Sequence, residues 1–156
     1  SRLLRVFRLP NPSNKSKPMR YLIPFLLLFT ACSSGPMITA QSVPTPTRTD
    51  TLEASYDRAF TAVLDAYSAK GFGVDEVNKD VGLAKSGFKQ SGNIVGRKAR
   101  SQFSARISRL DSTRTKVQLT ATAQRETMGG WNAASMTEER ARKLYANAFS
   151  TIKDQL

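Results

Sequence analysis

Gln102-Phe103-Ser104-Ala105-Arg106-Ile107-Ser108 and, past a turn near Asp111-Ser112, Thr115-Lys116-Val117-Gln118-Leu119-Thr120-Ala121-Thr122-Ala123 decide the fold. In the first arm Phe103, Ala105 and Ile107 alternate with polar residues, and in the second Thr115, Val117, Leu119, Ala121 and Ala123 do the same. Period two over both arms predicts a long hairpin with one face buried.

Upstream, Gly71 to Asn78 carries Phe72, Val74 and Val77, Lys79-Asp80-Val81-Gly82 reads as a turn, and Leu83 to Lys89 returns, which predicts a shorter hairpin. Ser91 to Arg97, with Gly92, Asn93 and Gly96, reads as a flexible loop. Before these, Leu52, Tyr56, Ala59, Phe60, Val63, Leu64 and Tyr67 form one helical stripe, with Asp50 and Glu53 as its cap and Gly71 as its stop. After the long hairpin, a loop holding Gly129-Gly130-Trp131 leads to a second stripe, Ala141, Tyr145, Ala148, Phe149, Ile152 and Leu156, opened by a capping box of Ser135 and Glu138. Trp131 is expected to pack back over an edge of the core. The expected fold class is therefore α+β: a two-layer sandwich of a four-stranded, mostly antiparallel sheet with an N-terminal and a C-terminal helix on one face, in the order α-β-β-β-β-α.

The chain has 156 residues, 24 Lys and Arg against 12 Asp and Glu, one Cys and no His. That length holds one ordinary domain and some further chain. The absence of His removes the commonest general base and metal ligand, and a single Cys forbids an internal disulfide or a Cys-rich zinc site. No metal and no cofactor is expected. The net charge of +12 is unevenly placed: residues 1 to 31 hold Arg2, Arg5, Arg8, Lys15, Lys17 and Arg20 with no acid, leaving +6 for the rest.

Met19-Arg20-Tyr21-Leu22-Ile23-Pro24-Phe25-Leu26-Leu27-Leu28-Phe29-Thr30-Ala31-Cys32 has a basic start, an apolar middle and small residues before Cys32. The apolar run is about half of the ~20 residues a membrane-spanning helix needs, so it reads as a secretory signal. Phe29-Thr30-Ala31-Cys32 resembles the lipobox of bacterial lipoproteins, with Phe29 where Leu is usual. The resemblance implies removal of residues 1–31, a lipid on Cys32 and, since Ser33 and not Asp follows, an outer-membrane location on the periplasmic face. Residues 1 to 18 read as an extended basic leader or an upstream-translated fragment. Residues 32–49, with Pro36, Pro44 and Pro46 among Ser and Thr, read as the lipidated Cys and a tether, and residues 50–156 as the periplasmic domain.

The order of elements, with a helix ending at Gly71-Phe72, the turn Lys79-Asp80-Val81-Gly82-Leu83, a strand opening at Thr113-Arg114-Thr115-Lys116-Val117 and a closing amphipathic helix, resembles the helix-grip domains of BamC and related small lipoproteins. That resemblance covers residues 50 to 156 and implies a fold and an envelope setting, with no catalytic residues to carry over.

Between Lys85 and Lys116 nine basic residues face a lone Asp111. Strand parity puts Arg100 and Arg106 on the solvent side with Gln102 and Ser104, and Arg114 and Lys116 on it with Gln118 and Thr120. These four form a candidate anion-binding face for anionic lipid head groups or an acidic envelope protein. Nucleic acid is disfavoured by the secretion signal and because no aromatic residue is expected to interleave with that face. Ser86-Gly87-Phe88-Lys89 and Ser150-Thr151-Ile152-Lys153 both read Ser-x-x-Lys, but the first is placed on a strand and the second at an exposed helix end. The sequence thus points to a non-enzymatic, lipid-anchored binding or accessory protein of envelope assembly or maintenance, held at the membrane through Cys32. A lipid-anchored enzyme of unrecognised type and a basic polyanion-binding protein are the alternatives.

Overall fold

In the computed structural model, residues 36–92 and 98–156 are described; Cys32 and the expected leader, residues 1–31, lie outside them. The chain order is β1 (Met37–Thr39), two 3-10 turns (Ala40–Ser42 and Thr45–Arg48), β2 (Thr49–Leu52), α1 (Tyr56–Ala69), β3 (Val74–Asn78), β4 (Leu83–Ser86), β5 (Lys89–Gly92), β6 (Lys98–Arg109), β7 (Thr115–Thr127), β8 (Gly130–Ala133), β9 (Ser135–Thr137) and α2 (Glu138–Lys153).

The long hairpin is the spine. β6 and β7 pair antiparallel from Ala99 opposite Arg125 to Arg109 opposite Thr115. Asp111 closes the turn between them by accepting from the backbone N–H of Thr113 at 2.8 Å and of Arg114 at 2.7 Å, the self-bonding that makes Asp a turn residue. Each spine strand then takes two short partners end to end. β7 carries β2 near the turn and β8 at its far end, while β6 carries β4 near the turn and β5 at its far end, with β3 outside β4.

β4 and β5 are one extended stretch broken at Gly87-Phe88. At the break Ser86 Oγ accepts from the Phe103 N–H at 2.9 Å and Gln102 donates to the Ser86 carbonyl at 2.9 Å, so side chains replace the missing ladder bonds. This is why Ser86 is fully buried although polar.

Both helices lie on the face formed by Phe103, Ala105, Ile107, Val117, Leu119 and Ala121, all buried, together with Ala59, Phe60, Val63, Ala141, Tyr145 and Phe149 from the helices. α1 ends as the sequence predicts: Gly71 has φ 70°, with Phe72 N–H to Tyr67 O at 2.9 Å and Gly71 N–H to Ser68 O at 2.8 Å, a Schellman stop. Its start differs. α1 begins at Tyr56 after Ser55, without a side-chain cap, because Thr49–Leu52 is committed to β2 and Leu52 plugs the core from a strand. α2 is capped by Thr137, whose hydroxyl accepts from Arg140 N–H at 3.3 Å, two residues after the expected Ser135. Ser135 is occupied in β9.

The expected four-stranded sheet in α-β-β-β-β-α order is thus corrected. Among the described residues there are seven strands in one antiparallel sheet and a separate pair, β1 with β9, and two strands precede the first helix. The strands that escaped the sequence are short and polar; β5 is exposed throughout and β2 reads Thr-Asp-Thr-Leu, so neither has the apolar alternation that betrays a strand.

Most of the expected tether, residues 37–49, is also folded. Ala40 and Val43, three apart across a 3-10 turn, are buried at 2% and 1% exposure. Fully buried Tyr145 fixes them: its hydroxyl donates to Ala40 O at 2.9 Å and accepts from Ala121 N–H at 3.0 Å. Average polarity misled here, since two small apolar residues at the right spacing suffice to dock a segment whose remaining side chains stay wet.

Candidate functional site

The helices cover only part of the spine. Burial on their side starts at Phe103 in β6 and stops at Ala121 in β7, whereas Ala99, Ser101, Ala123 and Arg125, of the same parity, are half-buried or exposed. The far ends of β6 and β7, flanked by β5 and β8, therefore project beyond the helix layer. At the step between covered and projecting sheet a cleft of about 380 Å³ opens between α1, α2 and the sheet. Its walls are apolar: Tyr67, Phe72, Phe103, Leu119, Leu144 and Ile152. Phe72 and Phe103 meet edge to face at 5.5 Å, and the Tyr67 hydroxyl is anchored on Ala84 O at 3.2 Å, where burial pushes its pKa upward.

Lys70 and Lys89 stand at the rim. Lys89 Nζ donates to the Lys70 carbonyl at 2.5 Å, at the C-terminus of α1, and lies 5.6 Å from the centre of the Phe72 ring. An ammonium has three donors, so Lys89 keeps two for a ligand. A second recess of about 320 Å³ shares Ser101, Phe103, Leu144 and Asn147 with the first and is bordered by Met136, Arg140 and Lys143. Lys143 is paired with Glu139 at 2.6 Å, which raises its pKa. Together the recesses follow one stripe of α2 from Arg140 to Ile152, a run of ~18 Å at helical rise.

The four residues of the expected anion-binding face do not converge. Arg106 and Lys116 are diagonal neighbours on the open face, since Arg106 opposes Gln118 and Lys116 opposes Ser108. Arg114 is taken by the turn, its Nε 2.7 Å from Asp111 Oδ2. That contact raises the pKa of Arg114, while the Thr113 backbone N–H, followed by the Arg114 side chain, holds the Asp111 carboxyl down at about 2. Arg100 is six residues from Arg106 along β6, about 20 Å away on the projecting end.

Arg100 has neighbours that the sequence reading missed. Its guanidinium lies 4.3 Å from the Phe88 ring centre and 4.4 Å from that of Trp131, and its Nε donates to Gln124 Oε1 at 2.6 Å. The expectation of an open face without interleaved aromatics is therefore wrong at this end. So is the expectation that Trp131 caps the core. The break at Gly87 turns Phe88 outward, and β8, folding back after Gly129-Gly130, lays Trp131 on the same guanidinium. The double glycine before Trp131 was the available signal for a hairpin.

Neither Ser-x-x-Lys pattern is assembled for chemistry. Ser86 Oγ serves the sheet break and Lys89 caps α1; Lys153 pairs with Asp50 at 2.7 Å. Among the described residues no three His, Cys, Asp or Glu side chains stand together as a metal site, and no helix is long and apolar enough to cross a membrane. No protein-family model matches the chain, and none of the curated proteins matches it.

Proposed function

We propose that this chain is a non-catalytic, lipid-anchored protein of the bacterial envelope, at the outer membrane, whose folded part binds an anionic amphiphile in support of envelope assembly or maintenance. The observation that carries the binding reading is the cleft: apolar walls of about 380 Å³ with ammonium groups at the rim suit an acyl chain whose acidic head remains at the mouth. Each methylene removed from water contributes ~0.8 kcal/mol, so ten would contribute ~8 kcal/mol, of which association entropy takes back several. The result is reversible binding, fit for carriage or sensing. The anchoring reading rests on Phe29-Thr30-Ala31-Cys32. Pro36 stands four positions after Cys32, so a lipid there would hold the folded part within ~14 Å of its attachment point rather than at the end of a long tether.

Displacement of a fluorescent fatty acid from the full chain tests the cleft. Ala148, half-buried on the α2 wall, can be enlarged without opening the core. Ala148→Phe should weaken probe binding at least about tenfold with an unchanged melting temperature, because the added ring takes the space of the chain. Unaltered binding would overturn the reading. Mass spectrometry of the membrane form should find an acylated Cys32 at the amino terminus, and an unmodified Cys32 within an intact leader would overturn the anchor.

A further inference from the structure

We infer that the projecting end of the spine, led by the β7–β8 turn, is a docking surface for an anionic phospholipid bilayer. The inference goes beyond the cleft and uses a different part of the molecule. Met128 at the tip of the turn is fully exposed, a side chain that soluble surfaces gain nothing by presenting, and Gly129 and Gly130 behind it leave the tip slim. Just behind the tip stands the stack of Phe88, Arg100 and Trp131. That guanidinium is held against two rings and its Nε is bound to Gln124, which restrains the orientation in which its terminal N–H groups can reach a phosphate oxygen. Tryptophan beside arginine is also the pairing that the boundary between head groups and acyl chains favours, one part apolar and the other charged.

The charges select the surface. On the described part of this end Lys98, Arg100 and Arg125 stand against Glu126 alone, and Glu126 lies 3.7 Å from Lys98. The opposite end of the spine also exposes apolar residues, Val81 and Leu110, but there Asp57, Asp80 and Asp111 balance Lys79, Arg109 and Arg114, with Lys79 paired to Asp57 and Arg114 to Asp111. An anionic bilayer is therefore attracted to the projecting end more strongly than to the other. A lipid anchor a few residues before β1 would make this contact intramolecular, yet the contact does not require one.

Trp131 is the only tryptophan of the chain and so reports on this end alone. The full chain is mixed with vesicles of zwitterionic phospholipid, with or without an anionic phospholipid, each also prepared with bromine-labelled acyl chains. Trp131 emission should be quenched on the anionic vesicles, less so on the zwitterionic ones, and less as salt rises. Arg125→Glu exchanges an attractive charge for a repulsive one and should weaken the quenching transition about tenfold or more. Met128→Asp, at a fully exposed site where folding is not at stake, should reduce quenching even where the chain still sediments with vesicles through its leader. Vesicle-bound chain with Trp131 unquenched, quenching that ignores both substitutions, or no sedimentation at low salt would each overturn the inference. None of these outcomes bears on fatty-acid binding, so failure here is distinguishable from failure of the cleft.

Discussion

One hairpin, β6 with β7, has two fates along its length. Near its turn the inward side chains Ala105, Ile107, Val117 and Leu119 are at most 2% exposed beneath two helices, and two ion pairs, Lys79 with Asp57 and Arg114 with Asp111, stand at that end. At its far end the same parity continues through Ala99, Ser101, Ala123 and Arg125, yet the first three are only half-buried and Arg125 is exposed. Alternation therefore states which face is available for burial. Whether it is buried depends on a second layer, and helices of 14 and 16 residues are too short to roof strands of 12 and 13 that they cross while leaving room for two more elements. The cleft is the geometric consequence of that shortfall.

The two ends should respond differently to the same kind of damage, and the largest contrast is at glycines with positive φ. Gly82 (φ 70°) sits where a Cβ would lie 2.0 Å from the Ile107 carbonyl oxygen, which belongs to the residue whose N–H donates to Gly82 O at 2.7 Å. Gly82→Ala should cost about 3–5 kcal/mol or prevent folding, as strain and clash add. Gly130 (φ 101°), at the projecting end, has open space around its Cβ position, so Gly130→Ala should cost only the conformational strain, about 1–2 kcal/mol. Urea unfolding of the two variants separates these values, and equal costs would mean that the ends are equally packed.

Aromatic truncation comes next. Phe149→Ala, in the covered layer, should cost ~3–5 kcal/mol. Trp131→Ala should cost only about 1 kcal/mol, the worth of a partly exposed cation–π contact with little core behind it. Tyr145→Phe keeps the ring but orphans Ala40 O and Ala121 N–H, for an expected loss of about 2–3 kcal/mol. If Tyr145→Phe is neutral, the segment from Ala40 to Val43 is not part of the cooperative fold.

The smallest effect is at the covered end's own turn. Asp111 has a pKa of about 2 in the fold against an ordinary 3.8, so the stability it contributes is present above pH 4 and is lost as pH falls toward about 2. Asp111→Asn should flatten that part of the stability–pH curve by lowering stability above pH 4 toward the value both proteins share near pH 2. A curve with the same acid limb in both proteins would show that the turn contacts are not formed in solution.

What could be read from the chain follows the same division. The covered half was legible: the long hairpin and both helical stripes come from periodicities that burial imposes on residues such as Phe103, Val117, Phe60 and Phe149, whereas the shorter hairpin, whose β3 is exposed throughout, was legible from its turn Lys79-Asp80-Val81-Gly82. The projecting half was not, because β5 and β8 bury little and so carry no apolar signature. The segment from Met37 to Leu52 was hidden for a different reason, its docking being done by Ala40, Val43 and Leu52 among prolines and threonines. Of the candidate site, Arg100 was found for its charge alone. Its partners Phe88 and Trp131, 12 and 31 residues away in the chain, come together only through the sheet.

The most direct test of the account is hydrogen exchange of the full chain with and without decanoate, a single-chain anionic amphiphile, below its micelle concentration. The cleft at the step predicts slower exchange with the ligand for amides around Phe72, Ser101, Phe103 and Leu144, and no change around Arg106 and Lys116 on the open face. Protection that is absent, or that is equal on both faces, would contradict it.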